Sequence, residues 1–233
     1  DAVNSGDISE DRLEQSVERV LTLKLNRSIV KAEAEKSLKE KAANALQVVG
    51  SLEHKAVEKE AAEKSITLVK NDAVLPLKVS PEDKIVVVGG SGFSINLLAA
   101  EVQKHHPGAV YINTSGPLTA AQLEQVQEAK YIIVGTYTSS VSGRAQNASQ
   151  MVMTRQLVET GIPVIAVGAR NPYDIMSYTD VDAYLVQYGF RPASFEAAAN
   201  TIFGKNNPTG KLPVTIYNHD GSVLYGFDHG LGY

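Results

Sequence analysis

The sequence predicts an α/β protein: a three-layer α/β/α sandwich on a mainly parallel, flavodoxin-like sheet, preceded by an N-terminal helical arm. Three observations lead there. Five short apolar runs, at residues 85–88, 110–112, 131–134, 164–167 and 183–186, lack the polar alternation of a strand with one wet face. Helical patterns at 95–104, 120–129, 149–159 and 195–203 are interleaved with them. The first 80 residues differ in kind, being rich in Glu, Lys, Ala and Leu with no proline before Pro76. Continuous apolar strands alternating with helices mark a parallel sheet covered on both faces. Right-handed crossovers then place helices on either side of it.

The elements follow in chain order. Ser9 suits a helix N-cap, with Glu10 and Asp11 in the first turn facing the positive end of the helix dipole. Leu13, Val17, Val20 and Leu21 recur at helical spacing as one apolar stripe, and the helix is expected to end near Arg27 or Ser28. Residues 31–41 read as a solvated linker helix rich in lysine and glutamate. A second helical pattern covers 53–66. It leads into Thr67-Leu68-Val69-Lys70-Asn71 and then the apolar Val74-Leu75-Pro76-Leu77 and a turn. The five strands and their helices come next, and residues 212–216 offer a further edge strand. The expected division is a helical arm and linker over 1–52 and the sandwich over 53–233.

Composition narrows the function. Of 233 residues, 43% are hydrophobic and 21% charged, as in ordinary globular proteins. A net charge of −4 gives no electrostatic case for nucleic acid or an anionic membrane. With no cysteine, disulfides, thiolate catalysis and cysteine metal sites are excluded. No apolar run approaches the ~20 residues of a membrane span. The polar, acidic opening residues lead us to expect no signal peptide within this chain.

In an open parallel sheet, ligands bind beyond the carboxyl ends of the strands, so any chemistry is expected in the loops there. Gly89-Gly90-Ser91-Gly92-Phe93 follows the first strand. It lacks the Walker lysine and the G-x-G-x-x-G spacing, which leaves a tight turn as the stronger reading over a phosphate cradle, and no cofactor is expected. The loop over 136–144 is polar and contains neither Asp nor Glu. It reads as a surface connection or a mobile lid, with Arg144 placed to meet an anion. Ala169-Arg170-Asn171-Pro172-Tyr173-Asp174 follows the fourth strand. There Arg170 and Asn171 either recognise a ligand or serve locally, Asn171 as a helix cap and Arg170 in an ion pair. The adjacent His105 and His106 point about 100° apart on a helix, a poor metal site, and read as a solvated helix end. No G-x-S-x-G elbow supports a serine nucleophile. Tyr137, Tyr173, Tyr184 and Tyr188 read as ligand-stacking rings or as amphipathic sheet-edge tyrosines.

Three stretches carry a resemblance. They are Ser5-Gly6-Asp7-Ile8-Ser9-Glu10-Asp11-Arg12-Leu13 running on to Lys24; His54 through Ala61-Ala62-Glu63-Lys64-Ser65-Ile66-Thr67-Leu68-Val69-Lys70-Asn71 to Leu75-Pro76-Leu77; and Ile202-Phe203-Gly204-Lys205-Asn206-Asn207-Pro208-Thr209-Gly210-Lys211-Leu212-Pro213-Val214 with Leu224-Tyr225-Gly226-Phe227-Asp228-His229-Gly230-Leu231-Gly232-Tyr233. In this order they resemble the end of the catalytic barrel, the entry to the second domain and the closing stretch of family 3 glycoside hydrolases. The resemblance implies that the nucleophilic aspartate lies in a barrel upstream of this chain. It also implies that many members supply the acid/base glutamate from the loop after the third sandwich strand. The matching loop here, 136–144, has no carboxylate. That departure resembles the β-N-acetylglucosaminidases, whose barrel carries an Asp-His pair instead. The Arg170-to-Asp174 run and Val186-Gln187-Tyr188-Gly189-Phe190 are similar to Gram-positive members of that branch.

What the resemblance implies is a C-terminal domain without catalytic residues, partnered by the parent enzyme's barrel. The parent would remove terminal β-linked N-acetylglucosamine from cell-wall muropeptides outside the cell or at its envelope. Arg144, Arg170, Asn171 and Asp174 would face substrate or the domain interface. The alternative is a scaffold or a module binding polyanionic wall glycan, without an enzymatic role.

Overall fold

The computed structural model describes residues 1–27, 29 and 38–233. They fall into two compact units, Asp1–His54 and Lys55–Tyr233.

The first unit is helical. Helix α1 (Glu10–Asn26) starts at Ser9, whose hydroxyl accepts from the Arg12 amide at 3.2 Å, as an N-cap should. Arg27 closes it, its amide reaching the Leu23 carbonyl. Leu13, Val17, Val20 and Leu21 lie 48–51% exposed, so nothing in the described residues covers the stripe. Helix α2 (Leu38–Val48) is also without a buried residue. The rest of the expected linker helix, residues 31–37, lies outside the described residues. Helix α3 (Leu52–Ser65) crosses the boundary between the units and buries Ala62 in the second.

The second unit is the sandwich. Its strands are β1 (Thr67–Asn71), β2 (Ile85–Gly89), β3 (Val110–Asn113), β4 (Tyr131–Thr136), β5 (Val164–Gly168) and β6 (Ala183–Val186). They are ordered β1-β6-β5-β4-β2-β3 in one sheet. All neighbours are parallel except β1, which runs antiparallel to β6. Alternate side chains supply two cores. Ile85, Val87, Ile133, Ile165, Val167 and Leu185 face α4 (Ile95–His105) and α7 (Pro192–Ile202). Val86, Val88, Ile132, Val134, Val164 and Ala166 face α5 (Ala120–Val126), α6 (Ser149–Val158) and the 3₁₀ turn Pro172–Ser177. This alternation between two covered faces explains why β2 reads Ile-Val-Val-Val-Gly and is buried throughout.

Three expectations change. Residues 67–71 form an edge strand, β1, that the sequence pattern did not single out. Residues 212–216 do not join the sheet; Ile216–Tyr217 (β7) pairs instead with Val223–Tyr225 (β8) in a separate ribbon. Pro213 lacks the N–H that a strand ladder needs. The outer edge of β1 is covered by the chain end, where Leu231 N–H donates to the Leu68 carbonyl at 2.8 Å. The third change concerns His106, which is buried instead of solvated and donates from Nε2 to the Asp83 carbonyl at 2.7 Å. His105 stacks on Phe203 at 4.8 Å, because the end of α4 packs beside α7.

Candidate functional site

The strand order reverses at β2, whose neighbours β3 and β4 follow it on opposite sides. Beyond the carboxyl ends of β2 and β4 lies the switch point where doubly wound sheets bind ligands. At Gly89 the chain passes so close to its neighbours that an added Cβ would meet Ile95 Cγ2 at 2.5 Å and the Gly135 carbonyl at 2.9 Å. The turn after it is internally bonded. Ser91 N–H donates to Asn113 Oδ1 at 2.8 Å, Phe93 and Ile95 N–H to the Gly90 carbonyl, and Ser94 N–H to that of Ser91. With these amides committed, the glycine stretch works as a close-packed turn, the stronger of its two readings.

Phe93, presented by that turn, stacks on Tyr137 with centroids 5.4 Å apart and planes 14° apart. Phe190, from the segment after β6, meets the same ring edge-on at 5.6 Å. Arg170 lies over Tyr137 with its guanidinium carbon 5.4 Å from the centroid, and Nη1 donates to the phenol oxygen at 2.7 Å. Gln150 fixes the Tyr137 backbone through two bonds of 2.9 Å. The segments after β2, β4, β5 and β6 thus converge on one aromatic group with an exposed arginine.

The other three residues singled out in the sequence also join the loop after β4 to the segment after β5. Asn171 does not cap the 3₁₀ turn; its Nδ2 donates to the Thr138 carbonyl at 3.0 Å. Asp174 is fully buried and accepts from Thr136 Oγ1 at 2.7 Å and from Thr138 Oγ1. Since the single Thr136 proton goes to Asp174, the Tyr178 phenol donates to Thr136 at 2.9 Å. Burial pushes the Asp174 carboxyl above its ordinary value. The two threonine bonds and the Arg144 charge oppose that shift. Burial likewise pushes the Tyr178 and Tyr184 phenols well up. Arg144 covers Tyr173 at 4.7 Å, and its carbonyl accepts from Ser177 Oγ at 2.5 Å. Arg170 makes no ion pair among the described residues; its contact is Tyr137.

The chemistry available here is recognition rather than bond cleavage. Asp174 has both oxygens committed and is sealed from solvent. Ser177 Oγ lies 2.8 Å from His219 Nε2, but its proton goes to the Arg144 carbonyl. The imidazole therefore donates to the serine, the reverse of what a general base must do. Among the described residues no cluster of three metal-ligating side chains occurs. Tyr184 is buried, and Tyr188 packs partly buried against the core with its phenol donating to Thr67 Oγ1 at 2.9 Å. Sequence reasoning missed Phe93 and Phe190. Their positions just past strand ends were the available signal. The Ser177–His219 contact spans 42 residues and left no local signal.

Strand order and edge define a flavodoxin-like α/β sandwich domain. The chain belongs to glycosyl hydrolase family 3, since residues 66–233 match the Glycosyl hydrolase family 3 C-terminal domain. It is 23% identical to a lysosomal beta glucosidase of Dictyostelium discoideum, over 97% of this chain and 33% of that protein. It is 24% identical to a beta-N-acetylglucosaminidase/beta-glucosidase of Cellulomonas fimi, over 92% of this chain and 41% of that one. A solved fungal multi-domain family 3 beta-N-acetylglucosaminidase superposes with a TM-score of 0.66 at 27% identity, over 96% of this chain and 25% of its own. The chain therefore spans about a third to two-fifths of the curated relatives it matches.

Proposed function

We propose that this chain is the non-catalytic C-terminal part of a family 3 β-N-acetylglucosaminidase that releases terminal β-linked N-acetylglucosamine from cell-wall muropeptides at the cell envelope. The observation that carries the reading is the carboxylate-free loop over 136–144, together with the burial of the nearby Asp174. A retaining glycosidase needs two catalytic groups about 5–5.5 Å apart across one glycosidic bond. Neither is offered at this edge. Residues 1–52 would then be the end of the barrel and the connection from it. A barrel would also cover the stripe of Leu13, Val17, Val20 and Leu21, now half exposed on α1. At the sheet edge, Arg170 and the ring group around Tyr137 would face the barrel or its substrate.

The test is hydrolysis of an aryl N-acetylglucosaminide and an aryl glucoside by the chain alone and mixed with the parent barrel. We expect no turnover by the chain alone and activity in the mixture, faster on the N-acetylglucosaminide. Turnover by the chain alone, or a preference for the glucoside, rejects the reading. Replacing both Val17 and Leu21 by aspartate should abolish reconstitution. Two charges on an interface face cost several kcal/mol by rough estimate. The unfolding midpoint of the sandwich should stay unchanged, because neither residue is buried. Reconstitution at the parent level by that double variant would show that the stripe does not dock.

A further inference from the structure

A cavity of about 270 Å³ opens between the loop after β4 and the β7–β8 ribbon, lined by Val141, Arg144, Tyr173, Met176, Tyr217 and His219. None of these side chains is acidic. Five of them are apolar or aromatic in character, so the walls suit a flat apolar body. Small-molecule sites commonly hold about 300–1,000 Å³, and this one, just below that range, has room for a one-ring ligand.

Arg144 gives the cavity its selectivity. Its guanidinium carbon lies over the Tyr173 ring, 4.7 Å from the centroid, and the guanidinium makes no hydrogen bond or ion pair among the described residues. Its N–H donors are therefore uncommitted, and a guanidinium can take a carboxylate through two parallel bonds. Asp174 supplies the nearest opposing field. It spends its oxygens on Thr136 and Thr138 and does not pair with Arg144. The far wall is held in place by the ribbon. His219 Nε2 donates to Ser177 Oγ, and Ser177 donates to the Arg144 carbonyl, so the ribbon and the loop share one hydroxyl.

We propose that this cavity is a binding site for a small monocarboxylate with a flat apolar body, oriented by Arg144 between Tyr173 and Tyr217. The titration uses the chain alone, so its outcome does not depend on what the parent enzyme hydrolyses. The probe is benzoate, with benzyl alcohol as the neutral counterpart, followed by methyl NMR of the full chain labelled at methionine. The chain has three methionines, and Met151 and Met153 are buried, which makes them internal references. Benzoate should shift the Met176 methyl saturably and leave the other two in place. Benzyl alcohol should bind about tenfold or more weakly, the cost of losing a charge-assisted bidentate contact. Arg144→Gln should reduce benzoate to the level of benzyl alcohol. Tyr217→Ala, at a half-exposed position, should weaken both ligands alike and guards against a folding defect in the first variant. No Met176 shift at millimolar benzoate overturns the proposal. So does equal binding of the acid and the alcohol, or benzoate affinity unchanged by Arg144→Gln.

Discussion

Asp174→Ala should lower the stability of the sandwich by about 2–4 kcal/mol, read as a lower urea midpoint. The substitution removes the acceptor of two buried hydroxyls: Thr138 is left with none, and Thr136 keeps only the Tyr178 phenol oxygen at 2.9 Å. An orphaned buried donor costs about 1–3 kcal/mol, while loss of a buried charge returns part of that sum. The loop after β4 should also loosen, since Thr138 is held from one side by Asp174 and from the other by Asn171. Limited proteolysis within 139–143 should therefore accelerate in the variant. A loss below about 1 kcal/mol would mean that water reaches the two threonines.

Asp174→Asn separates the charge from the hydrogen bonds. Burial raises the folded-state pKa of the Asp174 carboxyl above its value in the unfolded chain. The native state then binds this proton more tightly than the unfolded state does. Its contribution is fully present below the unfolded value, near 3.9, and is lost as pH rises through the folded value. The stability of the parent chain relative to Asp174→Asn should thus fall with rising pH from about 4 and flatten once the carboxyl is ionised. A relative stability that rises over that window would show that the threonine bonds and the Arg144 charge outweigh desolvation.

Much of the sandwich could be read from the sequence for one physical reason. Strands buried on both faces must be largely apolar, and β2, β5 and residues 132–135 of β4 are apolar throughout. The edge strand β1 fails that criterion because Lys70 and Asn71 are only partly covered. Its assignment depends on pairing with β6, which a local pattern does not carry. The positions of Arg144, Arg170, Asn171 and Asp174 beyond strand ends could be read in the same way, but their bonding could not. Asp174 turns inward because two threonines 36 and 38 residues earlier supply donors there. Pro213 was a readable warning against an edge strand at 212–216.

Gly210→Ala should cost about 3 kcal/mol or more, at the upper end of overpacking effects. At this position the closing segment crosses the junction of α3 and β1. An added Cβ would meet the Ser65 carbonyl oxygen, Thr67 Oγ1 at 2.6 Å and the Ile66 carbonyl oxygen at 2.7 Å. Two of these are backbone atoms, which cannot rotate away as a flexible side chain can. The Gly210 N–H also donates to the Ile66 carbonyl at 3.0 Å, so backing off breaks a bond. Displacement would spread along the segment. Leu212 N–H donates to the His229 carbonyl and Asp228 N–H to the Leu212 carbonyl, His229 Nε2 donates to the Val69 carbonyl at 2.7 Å, and Leu231 N–H donates to the Leu68 carbonyl. Hydrogen exchange should therefore show lost protection at the Leu212 and Leu231 amides as well as a lower unfolding midpoint. Gly226→Ala is the control, because its added methyl meets nothing within 4 Å and should change stability by less than about 0.5 kcal/mol. If the two variants unfold alike, the closing segment is not seated on β1. The edge of that strand would then be open to pairing with another chain, and the variant and the parent should both show concentration-dependent association.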